Sequence, residues 1–294
     1  MPIDRSLGRN VQFYDARSPG DALGGLIQNG SVTEANFLDM LGILVITETP
    51  IRVQERGTGH IITTANTRLE AGHYDVYCDS QIHVNNEAWV NRLISHNVSG
   101  RDGAFMTGIR ARDGRCVISG LVNSRTRIAR GNWTSFEAAH IFPLEKENTV
   151  WIPGNFDRWI TDMEDRTGGS KINSLQNGML LREDIHTMFD QYLISVNPDD
   201  SYKVVVFDED IHGLDGRVLD PVCRDRNDPH RVSDELLRWH FRQCVFANMR
   251  GAGEPIFEHD FSSGDMIGVI SREKYGKERL EMEVAARLRG FVNV

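Results

Sequence analysis

A chain of 294 residues is long enough for one large or two small domains, each with its own core, and 40% hydrophobic with 26% charged residues is an ordinary globular composition. No stretch approaches the roughly 18 uninterrupted apolar residues of a membrane helix, and Met1-Pro2-Ile3-Asp4-Arg5 lacks the charged-then-apolar layout of a secretory leader; the expectation is an intracellular protein, cytoplasmic or nuclear, not secreted. A net charge of −9 excludes a protein that coats duplex nucleic acid with its whole surface, but it leaves room for a local basic face.

The first hundred residues read as a β-rich domain (1–100). Asn10–Asp15 suits a strand, and Ser31–Leu44 a helix capped by Ser31 or Thr33. Across Gly72–Asp79, Tyr74, Val76 and Cys78 alternate with polar neighbours, the period of a half-buried strand. Asn86–Ser95 has helical spacing, and Asn97–Gly103 reads as a linker. His60, His73, His83 and His96 share no metal-ligand spacing. Four cysteines, Cys78, Cys116, Cys223 and Cys244, form no CxxC pair, which argues against a zinc ribbon or disulfide framework and for reduced thiols.

The second segment (101–210) opens on a helix through Phe105, Ile109 and Arg112, followed by Arg115–Gly120 as a short strand ending in a turn. Seven arginines (Arg101, Arg110, Arg112, Arg115, Arg125, Arg127, Arg130) face two acids, Asp102 and Asp113, over this stretch. That is the local basic face, with Arg110, Arg112 and Arg115 as candidate phosphate contacts. Trp133–Leu144 is extended, with Phe136, Ala138 and His140 on one side and Glu137 and Ala139 on the other. A helix is expected around Phe156–Met163, a tight turn at Asn177-Gly178, and a short helix over Leu181–Phe189. Strands Tyr192–Val196 and Tyr202–Phe207 follow, joined by the Asn197-Pro198-Asp199-Asp200 turn. In the last segment (211–294), Ser233–Arg250 and Ser271–Gly290 read as amphipathic helices that pack on the module or make a homodimer contact.

Four blocks in the second segment carry chemistry: Arg115-Cys116-Val117-Ile118-Ser119-Gly120, Glu137-Ala138-Ala139-His140-Ile141-Phe142-Pro143-Leu144, Asn177-Gly178-Met179-Leu180-Leu181 and Asp184-Ile185-His186-Thr187-Met188-Phe189-Asp190. In this order they resemble the HNH endonuclease family with its ββα-metal fold, in the branch without zinc cysteines. The likeness covers about Phe105–Phe207, and the whole architecture is similar to fungal HNH-domain proteins of unassigned role. The fold class expected is α+β: a β-rich N-terminal domain, then the HNH module, then packing helices.

The resemblance implies a metal-dependent endonuclease acting on DNA, or on RNA. His140 would be the general base that takes a proton from the attacking water. His186 would be a ligand of one divalent cation, Mg²⁺, Mn²⁺ or Zn²⁺, that stabilises charge at phosphorus. Asn177 would orient the loop carrying His140, and Asp190, one turn after His186, would position the imidazole or the helix. One departure stands out: Ala139 occupies the place where many HNH nucleases have an acidic metal ligand, and Glu137, opposite His140, would need a loop rearrangement to replace it. The alternative is an HNH-derived scaffold without nuclease activity, a binding or regulatory module or a small-molecule site, in which the three arginines are consumed by the protein's own acids.

Overall fold

Polypeptide geometry is described by a computed structural model covering residues 5–87, 89, 90, 92, 102–162, 169–251 and 268. Alternating burial builds β1 (Val11–Asp15), which pairs antiparallel with β2 (Ser18–Leu26). No strand pattern announces β2, because its first half is exposed; it runs through Gly24 and Gly25, where a Cβ would press on Met249 O at 2.0 Å and Val11 O at 2.4 Å. Thr33 caps α1 (Glu34–Leu44) in a reciprocal capping box with Asn36, and Phe37, Met40, Leu41 and Leu44 form its buried stripe. After β3 (Val45–Ile46) come β4 (Arg52–Glu55), β5 (Gly72–Tyr77) and β6 (His83–Val84). The main sheet has the order β2-β1-β5-β4, with only β1 and β5 parallel, and β3 pairs with β6 in a separate ribbon. Phe37 of α1 meets Phe13 and Tyr74 of this sheet edge-on.

The helix expected over Asn86–Ser95 does not form in its described residues; 88, 91 and 93–95 lie outside them. This segment is instead held by side-chain contacts with distant elements. Trp89 meets Tyr192 edge-on, the Val90 N–H donates to Gln243 Oε1 at 2.7 Å, and the Tyr192 hydroxyl donates to Val90 O at 2.7 Å. Of the expected linker only Asp102 and Gly103 are described, and they already belong to α2 (Asp102–Asp113). Residues 115–120 form a turn rather than a strand: Gly120 sits at φ +76°, and the Cys116 N–H closes onto Leu121 O. A short exposed helix, α3 (Arg125–Ala129), follows.

The ββα unit comes next. β7 (Phe136–His140) pairs antiparallel with β8 (Gly178–Arg182), His140 opposite Gly178, and α4 (Glu183–Asp190) packs against both. Between the strands, the helix expected at Phe156–Met163 reduces to a 3₁₀ turn, Phe156–Trp159, with Met163 outside the described residues. Asn177-Gly178 is not a turn. Asn177 ends a 3₁₀ segment and Gly178 is extended at φ −150°, so its glycine answers a close approach: a Cβ there would stand 2.3 Å from the Phe105 ring. β9 (Ile194–Asn197) and β10 (Lys203–Val206) make a hairpin, and α5 (Asp234–Met249) closes the described fold.

Two apolar cores result. One lies between the first sheet and α1, the other around the ββα unit. α5 feeds both: Leu236, Leu237 and Trp239 enter the second, while Phe241, Val245, Phe246 and Met249 enter the first. Buried on nearly every side within its own chain, α5 is a packing helix and presents no apolar face to a second copy; Ser271–Gly290 lies outside the described residues. All four cysteines are free, and Cys116, Cys223 and Cys244 are buried. No helix among the described residues is long and apolar enough to cross a membrane.

Candidate functional site

A chain of charge runs through the ββα unit. Glu137, near the start of β7, faces α4, and its Oε2 lies 2.6 Å from Nδ1 of His186. On the other side of the same ring, Nε2 stands 3.2 Å from Asp190 Oδ2, within ion-pair reach but without hydrogen-bond alignment. Asp190 Oδ1 in turn accepts from Nη2 of Arg92 at 2.6 Å, and both of those side chains are only 1% exposed. Exposure rises along this chain to 6% for the His186 side chain and 27% for Glu137, so the carboxylate is its solvent end. Burial pulls the His186 pKa down, but Asp190 and Glu137 outweigh it and hold it above the ordinary histidine value.

The sequence expectation that Glu137 needs a rearrangement is corrected by this contact. Strand alternation does put it opposite His140, and that opposite face is the one α4 covers. Ala139 is fully buried and contributes no polar atom.

His140 ends β7 on the side of α2. Its ring stacks on Phe105 with centroids 4.0 Å apart, and Nε2 lies 3.0 Å from Asn173 Oδ1. An amide oxygen only accepts, so Nε2 carries the hydrogen and the lone pair of the neutral ring sits on Nδ1. Burial, reinforced by the positive charges of Arg92 and His186 and only partly offset by the Asn173 bond, lowers the His140 pKa to about 4. Among the described residues no hydrogen bond, ion pair or ring contact joins the His140 and His186 imidazoles, although His140 feels the charges of His186 and Asp190.

Asn177, fully buried, holds the backbone that follows His140. Its Oδ1 accepts from the Phe142 N–H at 2.7 Å, and its Nδ2 donates to Ile172 O at 2.8 Å and Phe142 O at 3.2 Å. Both polar groups of that amide are thus engaged in holding the loop.

The three arginines assigned to phosphate do not form one face. Arg112 is corrected outright. Its side chain is 5% exposed and forks onto Asp113 at 2.6 and 3.0 Å, while its remaining donors go to the carbonyls of Leu175, His230 and Gly178. Arg110 lies 5.2 Å over the Trp133 ring, and burial lowers its pKa. Arg115 is more open but stands 3.6 Å from Asp220. Arg125 and Arg130, on and beside α3, are also exposed, in a stretch from Leu121 to Ser135 that contains no acid.

As for a metal, among the described residues no group of three His, Cys, Asp or Glu side chains has ligand spacing. The donor set still fits a cation held by two protein groups. An imidazole nitrogen and a carboxylate oxygen already touch, on the solvent side, and the other ring nitrogen faces a carboxylate, the usual outer partner of a metal-bound histidine. Sequence reasoning missed three members of this constellation: Glu137 as a partner of His186, Asn173 and Arg92.

Strands β7 and β8 followed by α4 form a ββα unit, and it falls within a family match. Residues 116–197 match the HNH endonuclease family, so the chain contains an HNH domain, whose family implies nuclease chemistry on nucleic acid with a divalent metal. Residues 8–83 match a domain of unknown function (DUF8573). Each match spans under a third of the chain. No curated protein and no solved structure matched the chain.

Proposed function

We propose that the chain is a metal-dependent endonuclease hydrolysing phosphodiester bonds of DNA, with RNA as the alternative substrate. The observation that carries this reading is the contact of Glu137 with His186, backed by Asp190, at the strand and helix positions of an HNH domain. A bound divalent cation would supply Lewis-acid stabilisation of the phosphoryl and departing oxygens, with Glu137 and His186 as its protein ligands. This mixed oxygen and nitrogen pair suits Mn²⁺ or Zn²⁺ better than Mg²⁺. His140 is the base. Asn173 fixes the tautomer that leaves the Nδ1 lone pair of the neutral ring to accept the proton of the attacking water. Arg115, Arg125 and Arg130, rather than Arg112, are the side chains open to phosphates.

The second reading, an HNH scaffold that binds or regulates without cutting, is favoured by two observations: His140 lies on the α2 side of β7 beneath Phe105, away from Glu137, and Arg112 and Arg115 stand against Asp113 and Asp220. Digestion of supercoiled plasmid in Mn²⁺, Zn²⁺ or Mg²⁺ separates the two. Nicking by the wild type, reduced at least 100-fold in H140A and H186A with their circular dichroism unchanged, is the expected result. Undiminished cutting by both variants removes the assigned roles, and a wild type that cuts neither DNA nor RNA in any of the three ions leaves the scaffold reading.

A further inference from the structure

One deeply buried charge near the site comes from outside both matched segments. Arg92 lies between residues 8–83 and 116–197 in sequence, yet its guanidinium reaches the centre of the ββα unit. Nη2 donates to Asp190 Oδ1 at 2.6 Å and to His140 O at 2.7 Å, while Nη1 donates to Ile141 O at 2.8 Å. One planar group therefore joins the last turn of α4 to the backbone at the end of β7. Its own segment is anchored: Trp89 sits against Tyr192, and Val90 bonds to Gln243 on α5. Burying a guanidinium is costly in principle, and what sets this pair apart is its carboxylate, whose other oxygen stands 3.2 Å from Nε2 of His186.

Resting on the nuclease reading, we infer that Arg92 is a positioning residue for the metal-binding pair. By tying Asp190 to the strand end, it fixes the face of the His186 imidazole toward Glu137 and the end of β7 toward the substrate. The geometry is specific to arginine. A lysine ammonium keeps the charge opposite Asp190 but lacks the flat fork that serves both carbonyls as well.

Two variants test this. R92K keeps the buried charges balanced; R92M/D190N removes both charges, with D190N alone as its reference, and covers the case in which R92K fails to fold. Three quantities are read on the full chain: the melting temperature, the Mn²⁺ dissociation constant from the electron paramagnetic resonance signal of free Mn²⁺, and kcat and KM for plasmid nicking. The expected result for R92K is a melting temperature within a few degrees of wild type, Mn²⁺ binding and kcat weakened roughly 10- to 100-fold, and KM for DNA little changed. R92M/D190N should bind Mn²⁺ at least tenfold more weakly than D190N. Wild-type Mn²⁺ affinity and kcat in R92K, or equal affinity in the double variant and D190N, overturns the inference and leaves the nuclease reading standing. A wild type that neither binds Mn²⁺ nor cuts takes down the nuclease reading, and the inference with it.

Discussion

Two buried arginine–aspartate pairs flank the β7–β8 hairpin, and they do different work. Arg112 and Asp113, adjacent on α2, form a closed unit. The guanidinium forks onto the carboxylate and spends its other donors on three backbone carbonyls, and Asp113 Oδ2 accepts the Leu180 N–H of β8 at 2.7 Å. Arg92 and Asp190 are equally buried but come from distant parts of the chain, and their carboxylate keeps its second oxygen for His186. A pair whose polar atoms all end on backbone fixes a fold; a pair that hands one atom to a titratable ring belongs to a site. Burial alone does not tell them apart.

The largest effect should come from breaking the closed pair. D113A leaves a buried guanidinium and the Leu180 N–H without their partner, and should cost about 3–5 kcal/mol in urea unfolding, while activity per folded molecule stays near wild type. A loss of activity far beyond the unfolded fraction would erase the distinction between the two pairs.

A smaller effect comes from pH. His140 falls from the ordinary 6.5 to about 4 in the folded state, so the unfolded chain binds the proton more readily below pH 6.5. Stability present above that pH should be lost as it falls toward 4, by roughly 3 kcal/mol from this ring. His240, buried and held well below its ordinary value, adds in the same direction. His186 is raised, so its own contribution is complete below pH 6.5 and is lost only as pH rises through its folded value. Urea midpoints for wild type and H140Q between pH 6.5 and 4.5 isolate the His140 share, and parallel curves would show that the ring is not desolvated as described.

The smallest effect sharpens the contrast from outside. Arg115, 44% exposed and 3.6 Å from Asp220, is a surface pair, and R115A should change stability by less than about 1 kcal/mol. A cost equal to that of D113A would mean that solvent exposure does not separate these ion pairs.

Much of the ββα unit was legible because its signals are local. The alternation through Phe136 and His140 lies within a single element, as does the Thr33 cap of α1; the helix read over Leu181–Phe189 is α4, except that its first two residues end β8. The fate of Arg112 was also on the page: Phe105, Ile109 and Arg112 share one helical face, and a stripe that buries the first two carries the third inward with them. Reading its charge as a surface feature ignored that stripe. Arg92 left no such trace, since its partners stand 48 to 98 residues away in sequence. Asn173 and the Glu137–His186 contact are likewise products of tertiary approach. Gly178 misled for another reason, because an Asn-Gly pair marks turns so often that a glycine demanded by the Phe105 ring looked the same.

The placement of α5 bears on how the molecule comes into being. Phe241, Val245, Phe246 and Met249 complete the core beneath the first sheet, and Arg5 and Arg9 bond back to Asn248 and Gly251. During synthesis β1 and its neighbours therefore wait, with apolar surface uncovered, until the segment as far as α5 has been joined. The two ends of the described fold mature together, and α5, which follows the ββα unit in sequence, completes both apolar cores.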